Sequence, residues 1–115
     1  MSHKNRSRMA ARWQTRAPVF AALGDETRLS LVRKLCGGRP YSISELTHGS
    51  MLTRQAITKH LRVLESVGIV HRVRRGRESR FEFDPQPIDG IKQYLDSVSE
   101  QWDQALSRLK SFVEE

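Results

Sequence analysis

The stretch that most constrains how this chain can fold is Thr53 to Gly68, TRQAITKHLRVLESVG. Thr53 suits an N-cap, where its hydroxyl accepts from an otherwise unpaired amide of the first turn. Gly68 suits the left-handed residue that commonly closes a helix. Between them Ile57, Leu61 and Leu64 fall at i, i+4 and i+7, and Ala56, Val63 and Val67 widen the apolar stripe. The other face carries Arg54, Gln55, Thr58, Lys59 and Arg62, side chains of the type that reach base edges and phosphates. Glu65, the only acid, falls in the last turn. Taken alone, such a face also fits an ordinary solvated surface. The flanking chain decides between the two.

Before the helix, Pro18 marks the first turn of a short helix VFAAL closed at Gly24. Asp25 then caps a second helix, whose apolar face is Leu29, Leu31, Val32 and Leu35 and whose stop is Gly37-Gly38. Arg39-Pro40-Tyr41 reads as a connector. Ser42-x-x-Glu45 matches a capping box and starts the short helix SISELTHG. A short helix, a turn containing Gly49 and the longer helix after Thr53 make a helix-turn-helix.

After Gly68 the hydrophobic period changes from 3.6 to 2. Residues 69–73 read as a strand, 74–79 as a turn centred on Gly76, and 80–83 as the return strand. A hairpin directly after such a helix is the wing of a winged helix. Its tip presents Arg74, Arg75 and Arg77, placed for phosphate or minor-groove contact. From Ile88 to the end runs one long helix. Ile88, Ile91, Leu95, Val98, Trp102, Ala105, Leu109 and Phe112 alternate by three and four, with Tyr94, Leu106 and Val113 broadening the stripe. A small winged helix cannot cover all of it, which points to a second subunit. Trp13, Val19 and Phe20 supply the expected second layer of that contact. Trp13 belongs to a basic arm that fits either a docked helix or a disordered segment.

Charge is sorted along the chain. The net charge of +7 makes a polyanionic partner plausible. Residues 1–16 carry +5, residues 53–80 carry +6 and residues 81–115 carry −5. The expected architecture is therefore mostly α with a small β-hairpin: a basic arm (1–16), a winged helix-turn-helix (17–84) and a C-terminal dimerisation helix (85–115). The sequence shows no nucleophile–base pairing, phosphate loop or metal cluster, so an enzyme is not expected. No apolar run approaches the ~20 residues that span a bilayer, and no secretory signal is visible. The single cysteine, Cys36, fits a reducing cytoplasm and reads as a buried, inert thiol at the end of an apolar helix.

The segments FAALGDETRLSLVRKL (20–35), SISEL (42–46), LTRQAITKHLRVLESVGIV (52–70) and RRGRESRFEF (74–83) resemble the ArsR/SmtB family of winged-helix repressors. The resemblance implies a homodimer joined by its terminal helices, acting on a palindromic double-stranded operator. On that reading Thr53, Arg54, Gln55, Thr58, Lys59, His60, Arg62, Arg74, Arg75 and Arg77 touch DNA. Trp13, Val19, Phe20, Ile91, Leu95, Val98, Trp102, Leu106 and Leu109 form the subunit contact. The chain departs from the family's founding metal sensors. Ser42 and Ser44 stand where those carry Cys-x-Cys, and no histidine follows His71 to join Asp89, Asp96, Glu100 and Asp103. His3, His48, His60 and His71 show no i, i+4 pairing, and His60 sits at the rim of the recognition helix, for packing or phosphate contact. No cofactor, and no response to zinc, arsenic or cadmium through these positions, is expected. The residues name no inducer. They also leave open an architectural or RNA-binding winged helix that reads shape rather than sequence.

Overall fold

A computed structural model describes residues 16–114. Its elements follow the order α1 (16–23), α2 (Glu26–Leu35), β1 (Tyr41–Ser42), α3 (Ile43–Thr47), α4 (Arg54–Ser66), β2 (Val70–Arg75), β3 (Glu78–Phe83) and α5 (Gln86–Glu114). The predicted ends of α4 are present. Thr53 Oγ1 accepts from Ala56 N at 3.1 Å. Gly68, at φ +80°, lets its own amide reach Glu65 O and the Ile69 amide reach Leu64 O, both at 3.0 Å. That pair of bonds satisfies carbonyls the helix end would leave open, and it turns Ile69 inward. Asp25 caps α2 by accepting from Arg28 N at 3.0 Å, and the capping box of Ser42 and Glu45 closes in both directions.

Ile57, Leu61 and Leu64 of α4 are buried with Leu31, Val32 and Leu35 of α2, Leu46 of α3, and Ile69, Val70 and Phe81 of the wing. Val19 and Ala22 of α1 and Ile91 of α5 complete this core. On α5 the apolar stripe soon runs out of neighbours. Ile91 is the helix's one buried residue, whereas Leu95 is 49 % exposed and Trp102 65 %.

Four details differ from the sequence reading. The first helix extends further back than VFAAL: the chain is already helical at residue 16, with Pro18 in the first described turn. Tyr41–Ser42 is a third strand rather than a connector: it pairs with β3 through Tyr41↔Phe81 and Ser42↔Arg80, giving the sheet order β1-β3-β2. The wing turn is tighter than expected. Strand pairing continues to Arg75↔Glu78, leaving only Gly76 and Arg77 between. Gly76 at φ +64° meets the positive φ that a two-residue hairpin turn requires at its first position. Finally, Cys36 is exposed, not buried. It is the C-cap of α2, one residue past the inward-facing Leu35, where the helical step turns it out of the core. Trp13 and His3 lie outside the described residues.

Candidate nucleic-acid interface

With its apolar side seated in the core, α4 turns its polar side out. Arg54, Gln55, Lys59 and Arg62 are exposed. Because Thr53 is held as the cap, the first turn that carries Arg54 and Gln55 is fixed in place. Thr58 is half-buried and its hydroxyl donates to Arg54 O at 2.7 Å, leaving a methyl group and lone pairs for an outside partner. His60 differs from its neighbours. Its Nδ1 lies 3.3 Å from Arg28 Nη1 and 3.8 Å from Asp25 Oδ2, at the corner between α1 and α2. Its side chain is therefore engaged inside the protein on that nitrogen.

Arg74, Arg75 and Arg77 are exposed on the wing, the first two at the end of paired strand β2 and the third in the turn. The other two arginines of the wing are committed internally. Arg72 lies 5.3 Å from the centroid of the Phe81 ring, its cross-strand partner, and 3.6 Å from Glu65. Arg80 lies 3.3 Å from Glu45 and 3.2 Å from Glu78. Both acids of the 53–80 segment, Glu65 and Glu78, are thereby paired with Arg72 and Arg80. Arg54, Lys59, Arg62, Arg74, Arg75 and Arg77 form no ion pair among the described residues, so their charge faces outward undiminished.

Sequence reasoning missed Glu45 beyond its capping role. Its carboxylate accepts from Ser42 N at 3.1 Å and from Arg39 Nη1 at 2.8 Å, and the Arg39 guanidinium stacks 3.9 Å from the Tyr41 centroid. The backbone amide of Ser42 and then the Arg39 side chain lower the Glu45 pKa to about 2. Only the strand register, invisible in the sequence, brings Arg80 to the same carboxylate.

The residues expected at a subunit contact divide. Val19 and Ile91 are buried in this chain's own core, and Val98 is half-buried. Phe20, Leu95, Trp102, Leu106 and Leu109 are exposed. Phe20 meets Tyr94 edge-on at 5.9 Å, and the Arg16 guanidinium lies 5.5 Å from the same ring, so α1 docks on the first half of α5. Among the described residues no group of three or more His, Cys, Asp or Glu is placed to hold a metal ion, and no helix is long and apolar enough to cross a membrane.

The family model for bacterial regulatory proteins of the arsR family matches residues 25–72, from the cap of α2 into β2. An uncharacterised HTH-type transcriptional regulator of Bacillus subtilis, YuzN, is 35% identical over 79 residues, which cover 64% of this chain and 86% of that protein. The chain belongs to the arsR family. It is a winged helix-turn-helix transcriptional regulator, and the basic face described above belongs to a DNA-binding fold. The structure of an ArsR-like regulator from Rhodococcus sp. RHA1 superposes with a TM-score of 0.76 at 35% identity, covering 87% of this chain and 93% of that one. A solution structure from Mycobacterium bovis shares the fold at 19% identity and a TM-score of 0.64, covering 85% and 90% of the two chains. That protein is described as a homodimeric winged helix-turn-helix DNA-binding domain of a possible ArsR-family regulator.

Proposed function

We propose that this arsR-family member is a homodimeric repressor that recognises a palindromic operator through α4 and the wing. The observation that carries the reading is the division of charge over residues 53–80. Both acids there are neutralised by Arg72 and Arg80, while six further cations point outward from one helix and one hairpin. Arg54 and Gln55 read bases; Thr53, Thr58, Lys59, His60 and Arg62 divide between bases and backbone; Arg74, Arg75 and Arg77 hold phosphate or the minor groove. The protein acts by binding rather than by catalysis.

Dimerisation is supported by the exposed stripe of α5 and by the homodimeric relative from M. bovis. Two-fold symmetry then sets the recognition helices about one DNA turn apart, roughly 34 Å, and requires two inverted half-sites. The test is footprinting on the DNA upstream of the protein's own coding sequence, followed by titration against random duplex and by a reporter assay of that promoter. Protection of an inverted repeat, a preference of at least ~10³ over random DNA, and raised reporter output on deletion of the gene are expected. Equal affinity for all duplexes, or a preference for RNA, would return the protein to an architectural role.

A further inference from the structure

The wing is a cantilever, and its root is held from one side by a single carboxylate. β1 supports β3 only at Phe81 and Arg80, through the pairs Tyr41↔Phe81 and Ser42↔Arg80. Beyond Arg80 no third strand joins the hairpin among the described residues, and Arg74, Arg75 and Arg77 all lie in that two-stranded part. Isolated two-stranded hairpins are marginally stable in water, so the direction of this one depends on what fixes its root. At the last supported pair, Arg80 Nη1 lies 3.3 Å from Glu45 Oε1, and the same oxygen accepts from Ser42 N at 3.1 Å. Glu45 itself belongs to α3, the first helix of the helix-turn-helix, where the Ser42 cap holds Glu45 N at 3.1 Å. The second carboxylate oxygen is occupied by Arg39 at 2.8 Å, and Lys34 Nζ reaches the Glu45 carbonyl at 3.4 Å. The carboxylate is thus fixed on both oxygens before it meets the wing. Arg80 accepts an unfavourable position in return, since its buried Nε has no hydrogen-bond partner among the described residues.

We infer that Glu45 is a positioning residue for DNA binding: it anchors Arg80 at the root of the wing, so that Arg74, Arg75 and Arg77 meet the same duplex as α4. The inference rests on the function proposed above. It is distinct from a capping role, because glutamine also completes a capping box. Glu45→Gln therefore leaves the start of α3 bonded and removes the ionic hold on Arg80 and Arg39.

The experiment is a double-mutant cycle on the full chain. It compares wild type, Glu45→Gln, the triple alanine variant at Arg74, Arg75 and Arg77, and their combination. The probe is a mixed-sequence duplex of roughly 30 base pairs, long enough for two half-sites. Glu45→Gln is expected to weaken binding about tenfold. It should also make the plot of log affinity against log salt shallower, by about one unit for each phosphate the wing no longer reaches. In the triple alanine background the same substitution is expected to cause no loss, because the arginines it positions are gone and only the removed negative charge is left to act. Amide hydrogen exchange over 74–79 should quicken in Glu45→Gln while α4 stays protected. Arg80→Gln, which opens the contact from the strand side, should produce the same exchange pattern.

Unaltered or tighter binding by Glu45→Gln would overturn the inference, since deleting a negative charge without moving the wing favours DNA. A loss that persists fully in the triple alanine background would overturn it too. A wild type that binds no duplex at all would overturn the proposed function and this inference together.

Discussion

Arg28 of α2 donates from Nη1 to Nδ1 of His60 in α4 across 3.3 Å, while its Nε donates to Ala22 O at 2.5 Å and its Nη2 to Ala21 O at 3.4 Å. One guanidinium therefore satisfies carbonyls at the end of α1 and holds a side chain of the recognition helix. The layer that docks on α5 and the layer proposed to read DNA meet at this residue.

An arginine only donates, so His60 Nδ1 must accept, and the ring proton of neutral His60 sits on Nε2. Long-range proton–nitrogen correlation spectra at neutral pH should show that tautomer alone for His60. Replacing Arg28 by alanine should release the ring to a mixture and destabilise the fold by about 1.5–3 kcal/mol, the range for hydrogen bonds to charged groups. Urea unfolding supplies the second number. A mixed tautomer in wild type would remove the link between α1 and α4.

Acid should weaken the fold in a defined window. The Glu45 pKa is lowered from 4.5 to about 2, by the Ser42 amide and then Arg39. Asp25 is lowered chiefly by the Arg28 amide, and Asp84 by the Gln86 amide and then His71. Each is a carboxylate with a folded pKa below its unfolded one, so its contribution is complete above the unfolded value and disappears as pH falls through the folded value. The share of the urea midpoint that these carboxylates supply should therefore hold steady from neutral pH down to about 5, then fall between about 4.5 and 2. Glu45→Gln should flatten part of that fall. A decline already complete above pH 5 would assign acid unfolding to other groups.

Base reading should concentrate at the start of α4. Arg54 and Gln55 lie in the first turn, exposed and held by the Thr53 cap. Replacing either with alanine should cost ~1–3 kcal/mol on the preferred site and relax preference at one position in each half-site. Selection from a randomised duplex library checks both effects. If neither variant changes the selected sequence, specificity resides elsewhere on the helix or in the shape of the DNA.

The recognition helix was legible because its two ends and its period rest on local chemistry: a threonine cap, a glycine turn and one apolar stripe. The hairpin was legible for the same reason, through alternation around Gly76. β1 was not, because Ser42 both pairs with Arg80 and caps α3, and Pro40 just before it argued for a connector. The engagement of Arg72 and Arg80 was equally hidden. An arginine in a basic strand looks free until register places Glu65 and Glu45 beside it. Cys36 shows the limit of a periodic argument, since one step past the last inward leucine is enough to reach solvent. The second subunit proposed to cover α5 could not be read from a single chain, where the exposed stripe is the feature that points to it.

That exposure carries the last prediction. α5 has 29 residues, about 43 Å of helix at 1.5 Å per residue. Its first turns are covered by α1 and the core, through Ile91 and the Tyr94 ring. From Leu95 onward the apolar side chains of the stripe stand mostly in water, with Trp102 65 % exposed and Phe112 78 %. A contiguous apolar surface of this length normally marks an interface. The wild type should therefore sediment at twice the subunit mass. Trp102→Ala should cost ~3–5 kcal/mol of dimer stability once the ring is fully buried against a partner, about two to three and a half powers of ten in dissociation constant. Trp102→Asp should sediment as a monomer yet keep its helical circular dichroism, because this side chain contributes nothing to the core of its own subunit. Operator affinity should fall with it, as two half-sites can no longer be held by one particle. A wild-type monomer that occupies one half-site at full affinity would refute the dimer.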